Sequence, residues 1–194
     1  MKLGNIATVR SGLVLARKMS RDPSEIRYPL LNLRSINPGG YIEKDQLDIF
    51  DSLEHLSPEY LSQVGDVIVR LTAPYTAILI DDTTAGMVIS SNFVIIRADR
   101  REILPEYLFW LLNTPQVKRS VYESTSSNML GAVKAKFFAD FEVTPLPIDK
   151  QQQIAAINAA AIKEIMLLRQ LADEKERYYN LLINHVYKDL KRGN

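Results

Sequence analysis

The sequence predicts an α+β protein, in which a mixed α/β domain over residues 1–147 is followed by one long coiled-coil α-helix over residues 148–194. Upstream of Pro147 the apolar runs are short, rich in β-branched residues and bounded by Gly, Pro, Asn and Asp, which is typical of strands joined by turns. Downstream, no Gly or Pro interrupts residues 150–192, as expected for a single helix. A chain of 194 residues is also long enough to bury its own core.

Four segments have the best strand patterns, and two further segments open with a proline at the first helical position. Ser57-Pro58 has the same pattern, with the serine as the cap of a short helix. The predicted strands are 28–33, 67–71, 76–80 and 87–96, and the predicted helices are 105–112 and 115–122.

Composition limits the class of protein. Charged residues make up 24% and hydrophobic residues 46% of the chain, with a mean hydropathy of -0.09, which is typical of globular proteins and excludes general disorder. No apolar stretch reaches 18 residues and no signal peptide is recognisable, so we expect neither a membrane span nor secretion. The absence of cysteine excludes disulfides and thiolate chemistry and fits a reducing compartment, so we expect a cytoplasmic protein.

Charge is unevenly distributed along the chain although the net charge is only +1. Residues 1–34 hold seven basic residues against two acidic ones, and residues 43–66 hold seven acidic residues against one lysine. This pattern allows a basic face directed at a polyanion such as a nucleic acid. The alternative is that both blocks are solvated loops around a core.

The long C-terminal segment has apolar residues at alternating three- and four-residue steps, a 3.5-residue period. Asp149 is the predicted cap, with Gln152 in the capping-box position. A helix of this length would extend roughly 60 Å, too far to cover its apolar seam with one small domain, so we expect a homodimer through the helix. The alternative is a helix folded back against the domain. The predicted interface residues are Ile154, Ile157, Ala161, Ile165, Leu168, Tyr179, Leu182 and Val186.

Catalytic motifs are not found in the sequence. His55 and His185 lack metal-ligand spacing, and no nucleophile elbow, phosphate-binding loop or dinucleotide fingerprint is present. Asp81-Asp82 is most simply a solvated turn between strands. A non-catalytic binding protein without cofactor or metal is therefore favoured over an enzyme.

Several motifs occur in the order found in one known family. Leu3 to Gly12, Gly65 to Arg70, Ser91-Asn92 and Pro105 to Leu108 are followed by Leu146-Pro147-Ile148-Asp149-Lys150-Gln151-Gln152-Gln153-Ile154. The last element resembles a proline-rich turn and Gln-x-x-Ile entry into a long helix. In order and spacing the chain resembles the DNA specificity subunits of type I restriction-modification systems.

Two features depart from that resemblance. Lys150 stands where the family commonly has Glu, and the chain has one copy of the recognition domain plus helix where the usual subunit has two in tandem. The chain therefore resembles a half-subunit, with a target-recognition domain at 1–147 and a helix at 148–194 for dimerisation, spacing and docking.

The resemblance implies a division of labour among subunits. Each recognition domain would bind one half of a split double-stranded DNA target. Modification subunits, bringing S-adenosylmethionine for adenine methylation, would dock on the helices, and a restriction subunit would join them. A homodimer would then bind a bipartite palindrome.

Candidate DNA-binding residues are side chains in or beside predicted loops that suit base edges or phosphate. For each, the alternative is a surface salt bridge or a turn cap. The candidates are Arg10, Arg34, Arg70, Thr72, Tyr75, Asn92, Asn128, Lys134 and Lys136.

A competing hypothesis is a coiled-coil interaction module that never binds DNA, such as an antirestriction decoy or assembly factor. The basic first 34 residues argue against it. An RNA-binding protein is less favoured still, since no aromatic RNA-binding strand motif is recognisable.

Overall fold

The computed structural model describes residues 1–125 and 133–192. Backbone contacts divide the chain into two compact units, Met1–Ala155 and Ala156–Asn194. We call Met1–Ala155 the head. No helix within the described ranges is both long enough and apolar enough to cross a membrane.

In the described part of the head, seven strands form two sheets. The first sheet has the order β1-β7-β4-β5 with antiparallel neighbours throughout. The second has the order β3-β2-β6, in which β2 runs antiparallel to β3 and parallel to β6. The strands are β1 (Ala7–Ser11), β2 (Arg27–Leu31), β3 (Asp48–Asp51), β4 (Asp66–Arg70), β5 (Ala77–Leu79), β6 (Val88–Ile89) and β7 (Phe93–Ala98).

Two clusters of buried apolar side chains belong to the core of the head. The larger contains Ile68, Ile78 and Phe93 from the first sheet and Ile89 from the second. Val88, the neighbour of Ile89, belongs to the other cluster, because successive side chains of a strand point to opposite faces. The short strand β6 therefore contributes to both clusters.

Helices complete the head. Proline occupies the first turn of α1, as the sequence predicts, and α1 buries Leu108, Phe109 and Leu112. Short 3-10 helices occupy Leu3–Asn5, Leu15–Arg17, Lys44–Gln46 and Pro58–Tyr60, the last opened by Pro58. The α-helices are α1 (Pro105–Asn113), α2 (Pro115–Thr125), α3 (Ala135–Asp140) and α4 (Ile148–Arg192).

The two ends of the head lie side by side. The Leu3 amide donates to the Phe141 carbonyl at 2.8 Å, and the Val143 amide donates to the Met1 carbonyl at 2.8 Å. The N-terminal segment thus pairs with the segment that leads into α4.

The Gly-Asp motif before β4 has a structural role. Gly65 has a φ of +86°, a conformation that favours glycine. The fully buried Asp66 carboxylate accepts two hydrogen bonds from Arg97, at 2.7 and 2.8 Å, and one from the Gln63 amide at 2.9 Å. Hydrogen bonding to Asp66 raises the pKa of Arg97. The motif therefore ties β4 to β7.

The helix α4 has 45 residues and is about 68 Å long at 1.5 Å per residue. Its first turn is held by the fully buried Gln151. The side-chain oxygen Oε1 of Gln151 accepts a hydrogen bond from the backbone amide of Leu104 at 2.8 Å. Its Nε2 donates to the backbone carbonyls of Leu146 at 2.7 Å and Glu102 at 3.2 Å. The expectation of an Asp149 cap is wrong, because the helix already begins at Ile148 and Asp149 lies within its first turn.

The predicted strands are found with three differences. The predicted strand at 87–96 is two strands separated at Ser90–Asn92. The strand β3 lies in the acidic block of residues 43–66, for which the sequence predicted no strand and one alternative was a solvated loop, and it buries Phe50. The helix α3 and the strand β1 lie in segments for which the sequence predicted neither a helix nor a strand.

Candidate nucleic-acid interface

Three strands of the first sheet meet at one end of the head. β1 ends at Ser11 and β4 ends at Arg70, and both ends lie opposite the start of β7. Ser11 is paired with Val94, and Arg70 is paired with Phe93. Beyond this end, the Leu71 amide donates to the Asn92 carbonyl at 3.0 Å. The ends of β4 and β7 are thereby fixed together.

A further backbone hydrogen bond brings a distant segment to the same place. The Val133 amide donates to the Leu71 carbonyl at 2.9 Å. This bond places Lys134 and the first turn of α3 beside the ends of the strands. Residues more than 60 positions apart in the chain therefore share one surface.

An open cleft of about 440 Å³ lies between these segments. Among the described residues, its polar lining consists of two ammonium groups, three hydroxyls and one amide, without a carboxylate. Such groups can donate hydrogen bonds to phosphate oxygens, and the lysines add positive charge. We call it the cleft; its lining residues are Ser11, Leu71, Thr72, Ser91, Asn92, Val133, Lys134, Ala135 and Lys136.

Four of the predicted DNA-binding residues lie in the cleft. Asn92, Lys134 and Lys136 are exposed, and Thr72 is half-buried. Within the part of the chain that the structure describes, neither lysine forms an ion pair. The positive charge of this surface is thus available to a ligand.

Arg70 lies beside the cleft. Its Nε donates to Thr72 Oγ1 at 3.0 Å, and its backbone amide donates to the Thr76 carbonyl at 3.0 Å. Among residues 1–125 and 133–192, no partner is found for its two terminal nitrogens. The guanidinium is therefore held at one nitrogen and open at the other two.

Arg34 and Arg10 are differently placed. Arg34 forms an ion pair with Asp48, and its Nε donates to the Gln46 carbonyl at 3.4 Å. Arg10 lies in β1 with Nη1 3.4 Å from the Glu59 carboxylate. Burial lowers the pKa of the Arg10 guanidinium, and the charge of Arg97 lowers it further. Both arginines are thus paired with carboxylates, and neither lines the cleft.

Tyr75 is a correction to the predicted set. Its side chain is only 5% exposed, and its hydroxyl lies 3.0 Å from Thr125 Oγ1. A base edge cannot reach a side chain so placed, so Tyr75 belongs to the core of the head. Asn128 lies outside the described residues.

The expectation of a basic face over residues 1–34 is wrong for four of its seven cations. Each forms an ion pair with a carboxylate of the acidic block, and the separation of charge along the sequence largely disappears on folding. We call residues 10–34 and 48–59 the charge-paired region; its pairs are Arg10–Glu59, Lys18–Glu54, Arg27–Asp51 and Arg34–Asp48.

Sequence reasoning missed two hydroxyls of the cleft, Ser11 and Ser91. The available signal was Gly12, which follows Ser11. A Cβ at this position would stand 2.2 Å from the Ser90 carbonyl oxygen, so only glycine permits β1 to approach the segment before β7. A glycine directly after a strand marks such a close approach.

No group of three or more His, Asp or Glu side chains in the described ranges lies close enough together to hold a metal ion. The cleft chemistry is that of hydrogen-bond donors and cations. It suits recognition of an anionic polymer.

Comparison with solved structures identifies the fold. The chain is similar to the HsdS subunit from Thermoanaerobacter tengcongensis, with a TM-score of 0.67 and 21% identity, over 94% of this chain and 46% of that one. It is also similar to a chain in a structure describing complex assembly and conformational transition of the type I restriction-modification system, with a TM-score of 0.62, 21% identity and the same coverage. No protein-family model and no curated protein matches the sequence.

These similarities define the class of fold: a mixed α/β head followed by a long helix, as in restriction-modification specificity subunits. In particular, this chain has the fold of one half of an HsdS subunit, since it spans about half the length of the structures it matches. The α+β prediction is thereby confirmed.

Proposed function

We propose that this protein is a DNA sequence-specificity subunit of a type I restriction-modification system and has no catalytic role of its own. One observation carries the proposal. On a head with the HsdS fold, the cleft gathers two lysines, an amide and three hydroxyls from four separate segments. Among the described residues, neither lysine has an ion pair and no carboxylate lines the cleft. Cations and neutral donors in that combination suit the phosphates and base edges of double-stranded DNA.

The proposal includes a homodimer formed through α4. Ile157 is 71% and Leu168 59% exposed, and Ile165 is also exposed. Leaving such side chains in water costs about 1.5–3 kcal/mol each relative to burial. Ala161, Tyr179, Leu182 and Val186 are likewise exposed, and Ile154 is half-buried. A second copy in antiparallel orientation would cover this seam.

A two-fold dimer presents the same surface twice, so its DNA target would be a bipartite palindrome. Partner modification subunits would supply S-adenosylmethionine and methylate adenine, and a restriction subunit would complete the complex. The helix α4 would set the distance between the two half-sites.

Methylation mapping in cells tests this function. The chain is expressed with modification subunits of its host, and methylated adenines are located by sequencing. We expect one bipartite palindromic motif, absent when this chain is omitted. Deletion of one heptad within α4 should change the spacing between the half-sites. Methylation that is independent of this chain would contradict the proposal and favour a protein-interaction module.

The dimer is tested by analytical ultracentrifugation at micromolar concentration. The unmodified protein should sediment as a dimer. Ile165→Asp with Leu168→Asp should give a monomer, because two carboxylates cannot be buried in an apolar seam. Lys163→Asp with Gln170→Asp, on the opposite side of the helix, is the matched control and should remain a dimer. A monomeric unmodified protein would contradict this part of the proposal.

A further inference from the structure

Three arginines were candidates for base recognition, and the structure separates them. Arg10 and Arg34 are paired with Glu59 and Asp48. No carboxylate of the described residues is paired with Arg70. A guanidinium held by a carboxylate has part of its charge neutralised and some of its donors occupied, and weakening that ion pair to contact a base has a free-energy cost. Arg70 is the candidate without this cost.

The backbone of Arg70 is fixed on both sides. Its Cα is in register with Phe93 of β7, and its amide donates to the Thr76 carbonyl at 3.0 Å. Side chains carried by paired strands are positioned more accurately than those on loops. Arg70 therefore starts from a rigid platform at the end of the sheet that bears the cleft.

The guanidinium is also oriented. The hydrogen bond from Nε to Thr72 Oγ1 at 3.0 Å restricts rotation of the long side chain and leaves the two terminal nitrogens as a planar pair of donors. Such a pair matches the O6 and N7 acceptors of guanine in the major groove, the commonest specific contact of arginine with DNA. Ordering the side chain before binding reduces the entropy lost on binding.

On this basis, and resting on the function proposed above, we propose that Arg70 is the residue that recognises a guanine in the half-site and that Thr72 is a positioning residue for it. Thr72 lines the cleft but serves through its hydrogen bond to Arg70. Lys134 and Lys136, in the other wall of the cleft, bind the phosphate backbone next to that guanine.

A guanidinium also binds phosphate, so the experiment must separate the two ligands. The assembled complex with modification subunits is titrated with its cognate duplex and with duplexes in which each guanine of the motif is replaced in turn by 7-deazaguanine. This base keeps its pairing and loses the N7 acceptor. For the unmodified chain, we expect 7-deazaguanine at one position of the motif to weaken binding roughly 10-fold.

Arg70→Ala should weaken binding to the cognate duplex roughly 10- to 100-fold and abolish the effect of 7-deazaguanine at that same position. Arg70→Lys, which keeps the charge and loses the paired donors, should also abolish it. Arg34→Ala is the matched control and should leave the effect at every position unchanged. Melting temperatures of the variants should match that of the unmodified complex.

Thr72 is tested by a pair of substitutions. Thr72→Val removes the hydroxyl at constant shape and should reduce the 7-deazaguanine effect, while Thr72→Ser should restore it. A merely structural role would not be rescued in this way. If Thr72→Val and Thr72→Ser change the 7-deazaguanine effect equally, the positioning role of Thr72 is overturned.

The outcomes distinguish this assignment from the function on which it rests. If the unmodified complex discriminates guanine from 7-deazaguanine and Arg70→Ala does so equally, the assignment is wrong. A uniform loss of affinity on all duplexes, with a smaller salt dependence, would make Arg70 a phosphate contact and also overturn it. A complex that prefers no DNA sequence would instead overturn the proposed function itself.

Discussion

The charge-paired region and the cleft contain similar cations, but folding treats them differently. In the charge-paired region four basic side chains meet four carboxylates. In the cleft, Lys134 and Lys136 share a lining to which no described residue contributes a carboxylate. The charge-paired region takes its cations from residues 1–34, the most basic stretch identified in the sequence, and yet the cleft offers more positive charge to a ligand. A local excess of cations in a sequence therefore does not locate the surface that binds a polyanion.

Strand pairing explains the difference. The antiparallel register of β2 with β3 places Arg27 opposite Asp51, and opposite charges in such cross-strand positions attract. The isolated bridge between Met19 and Ser52 brings Lys18 toward Glu54 in the same way. Two segments of opposite charge that fold as neighbours neutralise each other.

The largest effect is expected for a pair that is buried. Asp66→Ala removes the fully buried carboxylate that accepts hydrogen bonds from Nε and one terminal nitrogen of Arg97. The side chain of Arg97 is 36% exposed. Breaking a buried pair costs about 3–5 kcal/mol, and we expect the lower end of that range because Arg97 reaches water. Urea denaturation measures the free energy of unfolding.

The control for Asp66 is Asp140→Ala, which removes the partner of Lys2 in an exposed pair. Exposed pairs contribute little to stability because water and salt screen them, so this loss should be much smaller than that for Asp66→Ala. Equal losses for the two variants would show that burial does not separate the ion pairs of this head.

The cleft itself is tested by Lys134→Ala with Lys136→Ala. Each lost phosphate contact should flatten the slope of log K against log salt by about 0.9. The slope for the double variant should therefore be flatter by about 1.8. DNA affinity of the assembled complex is measured across a salt series. The free energy of unfolding should remain unchanged, because both side chains are exposed and without an ion pair among the described residues.

Substitutions in the charge-paired region should change the salt dependence of DNA binding only slightly. Lys18→Ala with Arg27→Ala removes two cations already neutralised by Glu54 and Asp51, so the salt slope should change by less than about 0.5. A loss as large as that of the lysine pair in the cleft would abolish the contrast between the two regions.

The smallest effect concerns pH. The hydrogen bond from Lys18 lowers the pKa of the Glu54 carboxyl below its ordinary value of 4.5. This pair therefore stabilises the fold above that value, and its contribution is lost as the pH falls through the lowered pKa. Lys18→Ala should move the Glu54 midpoint upward, as followed by NMR of the side-chain carboxyl. An unchanged midpoint would show that the pair does not form in solution.

Local patterns predicted the strands β2, β4 and β5, the proline-led helices and the long helix α4, because each depends on residues close in the chain. They missed β3, since Asp48 and Asp51 make a short strand resemble a loop, while the buried Phe50 alone carries the core signal. Tyr75 was misjudged because its partner Thr125 lies 50 residues away.

The cleft was predictable only in part. Thr72, Asn92, Lys134 and Lys136 follow from residue type and predicted loops. Their convergence depends on the hydrogen bond between Val133 and Leu71, which no local pattern encodes. The same holds for Arg34, whose pairing with Asp48 joins two segments 14 residues apart in the chain.

The pairing of the Met1–Leu3 segment with Phe141–Val143 brings the entrance and the exit of the head together. A different head with the same two neighbouring positions would join the helix that follows without moving its starting point. Recombination at these positions would exchange the whole cleft at once. On the function proposed above, such an exchange would change the target preference and leave α4 unaltered.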